Sequence, residues 1–120
     1  MTLTIYQYPK CGTCRKALKW LKEQGHEVTS IDIVEQPPSP EQLSDLIEKS
    51  GLALKAFFNT SGQVYKEQQL KNKLPDMSRE EQVRLLASNG MLIKRPLVTD
   101  GSKVSVGFRE ATYEDVWGNA

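Results

Sequence analysis

The sequence predicts a mixed α/β fold, with one central sheet flanked by helices. Three observations carry this. The first 33 residues read strand, helix, strand; two N-terminal capping boxes mark helices in the middle; and the last quarter returns to short β-rich runs.

Leu3-Thr4-Ile5-Tyr6-Gln7-Tyr8 alternates apolar and polar β-formers and reads as a strand that Pro9 ends. From Cys14 the spacing turns helical, through Ala17, Leu18 and Leu21, with Gly25 as the C-cap. Glu27 to Ile33 reads as a second strand, and a helical crossover predicts that it pairs in parallel with the first. After Pro37-Pro38, Ser39 is the expected N-cap, Pro40 the first helical residue and Gln42 the reciprocal cap of a helix that Gly51 closes. A short helix is expected over 54–58 and a turn over 59–62, while Tyr65 to Leu70 is compatible with helix or loop. Ser78 and Glu81 form a second capping box, opening a helix that ends near Gly90. Leu97-Val98-Thr99 and Val104-Ser105-Val106 flank Asp100-Gly101, a hairpin turn dipeptide, and Tyr113 to Trp117 reads as a last helix.

The chain has 120 residues, 38% of them hydrophobic and 26% charged, with 16 basic and 15 acidic side chains and a net charge of +1. Such a length and balance suit one globular domain over 1–120, with a helical insertion over about 39–90. They supply no basic field for direct nucleic-acid binding and no apolar run of the ~20 residues a membrane span needs. MTLTIYQYPK has no charged and apolar leader pattern, so the expected location is the cytosol.

Both cysteines lie in one tetrapeptide, Cys11-Gly12-Thr13-Cys14. A secreted disulfide framework would spread its cysteines along the chain. A structural zinc site needs about four ligands, and two cysteines with His26 do not make one. No metal is expected, and His26, just past the first helix, reads as a surface residue. Cys11 falls where the strand hands over to the helix. Backbone N–H groups converge there and the helix dipole favours an anion. Lys10, Arg15 and Lys16 add positive charge nearby. Each effect lowers a thiol pKa, and the thiolate is the reactive form. Cys14 lies one turn on, at i+3 on the same face. The expected roles are Cys11 as nucleophile and Cys14 as resolving thiol.

Tyr-Pro-Lys-Cys-Gly-Thr-Cys-Arg-Lys-Ala at 8–17, Leu92-Ile93-Lys94-Arg95-Pro96-Leu97-Val98, and Gly107-Phe108-Arg109 together resemble the arsenate reductase (ArsC)/Spx/MgsR-like family of thioredoxin-fold proteins. The resemblance covers nearly the whole chain and implies a thioredoxin-like fold. It implies that Cys11 attacks arsenate or another small thiol-reactive substrate, and that Arg95 and Arg109 bind the oxyanion, with Lys10, Thr13 and Asn59 as further anion-binding candidates. A planar guanidinium suits a tetrahedral oxyanion. Pro96 matches a family proline held cis beside the cysteine. No bound cofactor is implied; glutathione with glutaredoxin, or thioredoxin, would return the electrons. Asn59 stands, by count, where the reductases carry a third oxyanion arginine. Losing that charge-assisted contact is expected to cost a few kcal/mol at a dry site. The alternative implied by the resemblance is an Spx-like redox regulator binding the C-terminal domain of the RNA polymerase α subunit. A glycine of that contact would fall near Ala53, two residues from Gly51.

Overall fold

The computed structural model describes residues 2–118. They form two compact units, one made of the residues up to Asp32 and from Arg95 onward, the other of Ile33–Lys94.

The first unit contains the sheet. Its elements are β1 (Thr2–Gln7), α1 (Gly12–Glu23), β2 (Glu27–Asp32), β3 (Leu97–Thr99), β4 (Val104–Val106) and α6 (Glu110–Trp117). The strand order is β2-β1-β3-β4. β1 and β2 pair in parallel with Leu3 opposite Val28, as the crossover rule required. β1 and β3 are antiparallel with Ile5 opposite Val98, and β3 and β4 antiparallel with Val98 opposite Ser105. The sheet is therefore mixed, in the expected α/β class.

Period-two alternation puts Leu3 and Ile5 on the inner face of β1, and helical spacing puts Ala17 and Leu21 on the inner face of α1. With Val98, Tyr113 and Trp117 they form one buried cluster. Each large side chain removed from water contributes about 1.5–3 kcal/mol. Two buried polar side chains of this unit are satisfied within it. Trp117 Nε1–H donates to Ser105 Oγ at 3.0 Å, and the Tyr113 hydroxyl to the Gly107 carbonyl at 3.1 Å.

Three local expectations change. His26 is buried rather than at the surface, 6% exposed, with Nε2–H donating to the Trp117 carbonyl at 2.6 Å. The cause is Gly25: its φ of +90° reverses the chain after α1, so that the next side chain turns inward instead of following the helix out. The β3–β4 connection spans four residues rather than a two-residue turn. Asp100 Oδ1 accepts from Ser102 N–H at 2.8 Å and Lys103 N–H at 2.7 Å, so an aspartate side chain does the turn-closing that a backbone carbonyl would do in a tighter hairpin. The last helix starts at Glu110, three residues before the apolar signal at Tyr113.

The second unit is helical: α2 (Pro40–Ser50), α3 (Gln63–Glu67), α4 (Leu70–Lys73) and α5 (Arg79–Ser88), joined by 3₁₀ turns at Leu54–Phe57, Leu74–Asp76 and Gly90–Leu92. Both expected capping boxes form, Ser39 with Gln42 and Ser78 with Glu81. The ambiguous stretch over 65–70 resolves into the end of α3 and the start of α4, separated by Gln69 in a left-handed conformation (φ +52°). Two backbone bonds, Asn59 N–H to the Leu92 carbonyl at 2.7 Å and Lys94 N–H to the Phe57 carbonyl at 2.8 Å, clamp the stretch around Phe58 to the segment before β3.

Candidate active site

The cysteine pair is built by the junction of β1 and α1. Pro9 ends the strand, and the Cys11 N–H closes a turn onto the Tyr8 carbonyl at 2.9 Å. Cys11 is then the N-cap of α1, with extended backbone (φ −87°, ψ 115°), and its Sγ accepts the Cys14 N–H at 3.3 Å. A sulfur thus takes the place an oxygen usually fills at this position. Cys11 remains half-exposed, whereas Cys14 is fully buried. Both are free thiols.

The environment separates the two thiols. Burial alone would raise Cys11, but hydrogen bonds from the Cys14 side chain and backbone, with the charge of Arg95, outweigh it and hold Cys11 below the ordinary thiol value. Cys14 is pushed up to about 12, first by burial and then by donating its S–H to Cys11. The two thiols are therefore split: Cys11 ionises first, and Cys14 keeps its proton and donates it toward Cys11.

Arg95 opens the chain's return into this unit, through an Arg95–Pro96 peptide bond that is cis. Its guanidinium lies 5.5 Å from the centre of the Tyr8 ring. The strand end carrying Tyr8, the helix start carrying Cys11 and the segment before β3 thus converge on one point. Of the two expected sources of the lowering, the helix-start N–H groups act, through the Cys14 N–H, but the acting cation is Arg95 rather than Lys10, Arg15 or Lys16, whose side chains are exposed. Arg109 is exposed at the N-cap of α6 and is not among the groups acting on Cys11. Lys10 and Thr13 are exposed beside the pair. Asn59 lies in the second unit, where its backbone joins the clamp described above. Tyr8 was missed as a site residue. Its signal is its place in Tyr-Pro-Lys-Cys, where it opens the turn that aims Cys11. Among the described residues no group of three or more His, Cys, Asp and Glu could hold a metal ion, and no helix is long and apolar enough to cross a membrane.

The pKa split has a measurable sign. At pH 7 a thiol of pKa about 12 is thiolate in only about one part in 10⁵. A short iodoacetamide pulse is therefore expected to alkylate Cys11 and spare Cys14. With rising pH the Cys11 rate should level off once that thiol has ionised, below the range of an unfolded cysteine, while the Cys14 rate keeps climbing toward pH about 12. Peptide mass mapping of pulses at stepped pH checks this, and equal labelling of both cysteines at neutral pH would contradict it.

A mixed four-stranded sheet whose first strand delivers a cysteine pair to the N-terminus of the first helix defines a thioredoxin-like thiol protein. The chain belongs to the ArsC family, whose model matches residues 6–116. It is 65% identical over 117 residues to the uncharacterized protein YusI of Bacillus subtilis, covering 98% of this chain and 99% of that one. It is 33% identical to an arsenate reductase of Acidiphilium multivorum over 80% of this chain and 67% of that one. It is also 29% identical to the global transcriptional regulator Spx of Enterococcus faecalis over 90% of this chain and 80% of that one. Among solved structures, an ArsC-family-related protein from Bacteroides fragilis superposes with a TM-score of 0.91 at 51% identity, covering 97% of this chain and 98% of that one.

Proposed function

We propose that the chain is a thiol–disulfide oxidoreductase in which Cys11 attacks arsenate or another small thiol-reactive substrate and Cys14 resolves the adduct. The observation that carries this reading is the poised pair: a half-exposed thiolate-prone Cys11 at a helix N-cap, hydrogen-bonded to a buried, protonated Cys14. Descent from a family containing arsenate reductases supports it.

With a disulfide substrate, the Cys11 thiolate attacks one sulfur, and the other leaves as a thiolate with the bonding pair. With arsenate, Cys11 displaces one oxygen, which leaves as water after taking up protons. A second thiol then attacks Cys11 Sγ, a disulfide forms, and the S–As pair departs on arsenic, reducing it by two electrons. Cys14 is suited to that second attack. Once Cys11 carries an adduct its negative charge is gone, and with it the hydrogen bond and charge that hold the Cys14 proton; only burial still opposes ionisation. Thioredoxin, as one dithiol, or two glutathione thiols through glutaredoxin would then supply two electrons and two protons to the Cys11–Cys14 disulfide and leave as the oxidised disulfide. Arg95 would hold an anionic group, an oxyanion or a glutathione carboxylate, beside Cys11.

The test is the midpoint potential of Cys11–Cys14 in graded thiol/disulfide buffers, read by peptide mass mapping. A reversible intramolecular disulfide between about −180 and −270 mV is expected, the range of thiol-exchange proteins. Failure to form one would remove Cys14 as resolving thiol. The likeness to Spx supports a second reading, in which the same disulfide switches binding to the RNA polymerase α C-terminal domain. A complex with that domain that changes with the redox state of the pair would favour the regulator.

A further inference from the structure

The site chemistry uses only the first turn of α1. Beyond it, the outer face of the helix carries a feature of its own. At about 100° per residue, Arg15, Leu18 and Lys22 fall within about 60° of one another, and this stripe continues the line of Cys11 along the axis. Lys19 flanks it. The buried face, Cys14, Ala17 and Leu21, lies to the other side. Arg15, Leu18, Lys19, Lys22 and Glu23 line a shallow open depression of about 440 Å³. Leu18 is half-buried at its centre and packs its inner side on the core.

The charge is concentrated there. Residues 10–23 contain Lys10, Arg15, Lys16, Lys19 and Lys22 against one Glu23, a net +4 in a chain whose total is +1, which leaves −3 for all other residues. None of Arg15, Lys16, Lys19 and Lys22 is in an ion pair among the described residues, whereas Lys49 pairs with Asp45 and Arg84 with Glu80 elsewhere. Like charges on adjacent turns repel by a few tenths of a kcal/mol, about 0.2–0.5 per pair, so the stripe is not a device for stabilising the helix.

We propose that this face of α1 is the docking surface for an acidic protein segment that exchanges thiols with Cys11. The proposal rests on the thiol-exchange reading above and names the chemistry of the partner. Charge complementarity chooses the sign, and the half-buried Leu18, flanked on its exposed side by Arg15, Lys19 and Lys22, chooses a protein: interface centres are apolar with charged rims. A polyanion such as nucleic acid would meet one apolar side chain in the middle of the stripe and the opposing −3 elsewhere on the chain. Steering along the stripe brings the partner's sulfur to the half-exposed Cys11 at its end, about 16 Å from Lys22 along the axis.

The experiment uses three synthetic peptides, each with a central Leu and one Cys held in a mixed disulfide with a chromogenic aromatic thiol, flanked by Glu, Ser or Lys. The Cys11 thiolate attacks the peptide sulfur, the S–S bond breaks, and the aromatic thiolate leaves with the electron pair and is read by absorbance. At low salt the Glu peptide is expected to react at least about tenfold faster than the Lys peptide, with the ratio falling toward one as salt screens the face. In Lys19→Glu/Lys22→Glu the ratio should invert. Binding is measured separately in Cys11→Ser, by fluorescence anisotropy with peptides carrying Ser for Cys, where the Glu peptide is expected to bind most tightly. A Glu peptide neither faster nor tighter than the Lys peptide would overturn the docking surface, as would tighter binding of a DNA duplex. Preferential binding of the Glu peptide with no exchange by any peptide would confirm the surface and sink the thiol-exchange reading instead.

Discussion

Cys11→Ser is expected to lower turnover at least about a thousandfold, equivalent to about 4 kcal/mol of transition-state stabilisation. An alkoxide is far harder to form at neutral pH than the thiolate that Cys14 and Arg95 favour here. The loss should be one of chemistry alone. Serine is a preferred N-cap, and its oxygen can accept the Cys14 N–H that Cys11 Sγ accepts at 3.3 Å, so stability is expected to stay within about 1 kcal/mol. Cys14→Ser should differ in kind. Its first step survives, the adduct on Cys11 is no longer resolved internally, and mass spectrometry should find it accumulating unless an external thiol is supplied. The assay is turnover with reductants coupled to NADPH oxidation, beside a denaturant titration. Unchanged turnover in Cys11→Ser would sink the enzymatic reading outright.

Gly90→Ala is expected to destabilise the helical unit by about 3 kcal/mol or more. A Cβ at this position would lie 2.0 Å from the Ile33 carbonyl oxygen and 2.7 Å from its carbon, with the Val34 Cα at 3.1 Å. All three are backbone atoms, so no rotamer change can relieve the clash. The chain must move at Ile33 or at the 3₁₀ turn Gly90–Leu92, which carries buried Leu92 and leads directly into buried Ile93. Gly12→Ala is the matched control. Nothing lies within 4 Å of its Cβ, it sits in the first turn of α1, and its effect should stay below about 1 kcal/mol. Urea midpoints for the two variants check this, and a Gly90→Ala chain as stable as its parent would mean that the close approach to Ile33 is not maintained in solution.

Gly90 also shows how sequence and structure divide the information. In the sequence it reads as a helix end, which it nearly is. That it is a glycine because another strand of backbone passes against it could not be read from its neighbours. The two capping boxes, the αL glycine at Gly51 and the parallel β1–β2 pair were legible because each is set within a few residues or by one short crossover. The cysteine pair was legible for the same reason: strand, turn and helix start are all local, and together they aim Cys11.

The cation that tunes Cys11 was different. Local counting favours Lys10, Arg15 and Lys16, and Arg95 acts instead, because β3 lies next to β1 in the sheet and brings Arg95, two residues before β3, to the end of that strand. His26 likewise turned inward against a helix at the far end of the chain, a contact that no local signal encodes. The sequence by itself thus determined the elements, their caps and the placement of two thiols at a helix start, since hydrogen bonds and periodicity act over about four residues. Only the tertiary structure decided which charge faces Cys11 and that His26 is hidden, because those depend on side chains brought together by sheet order across most of the chain.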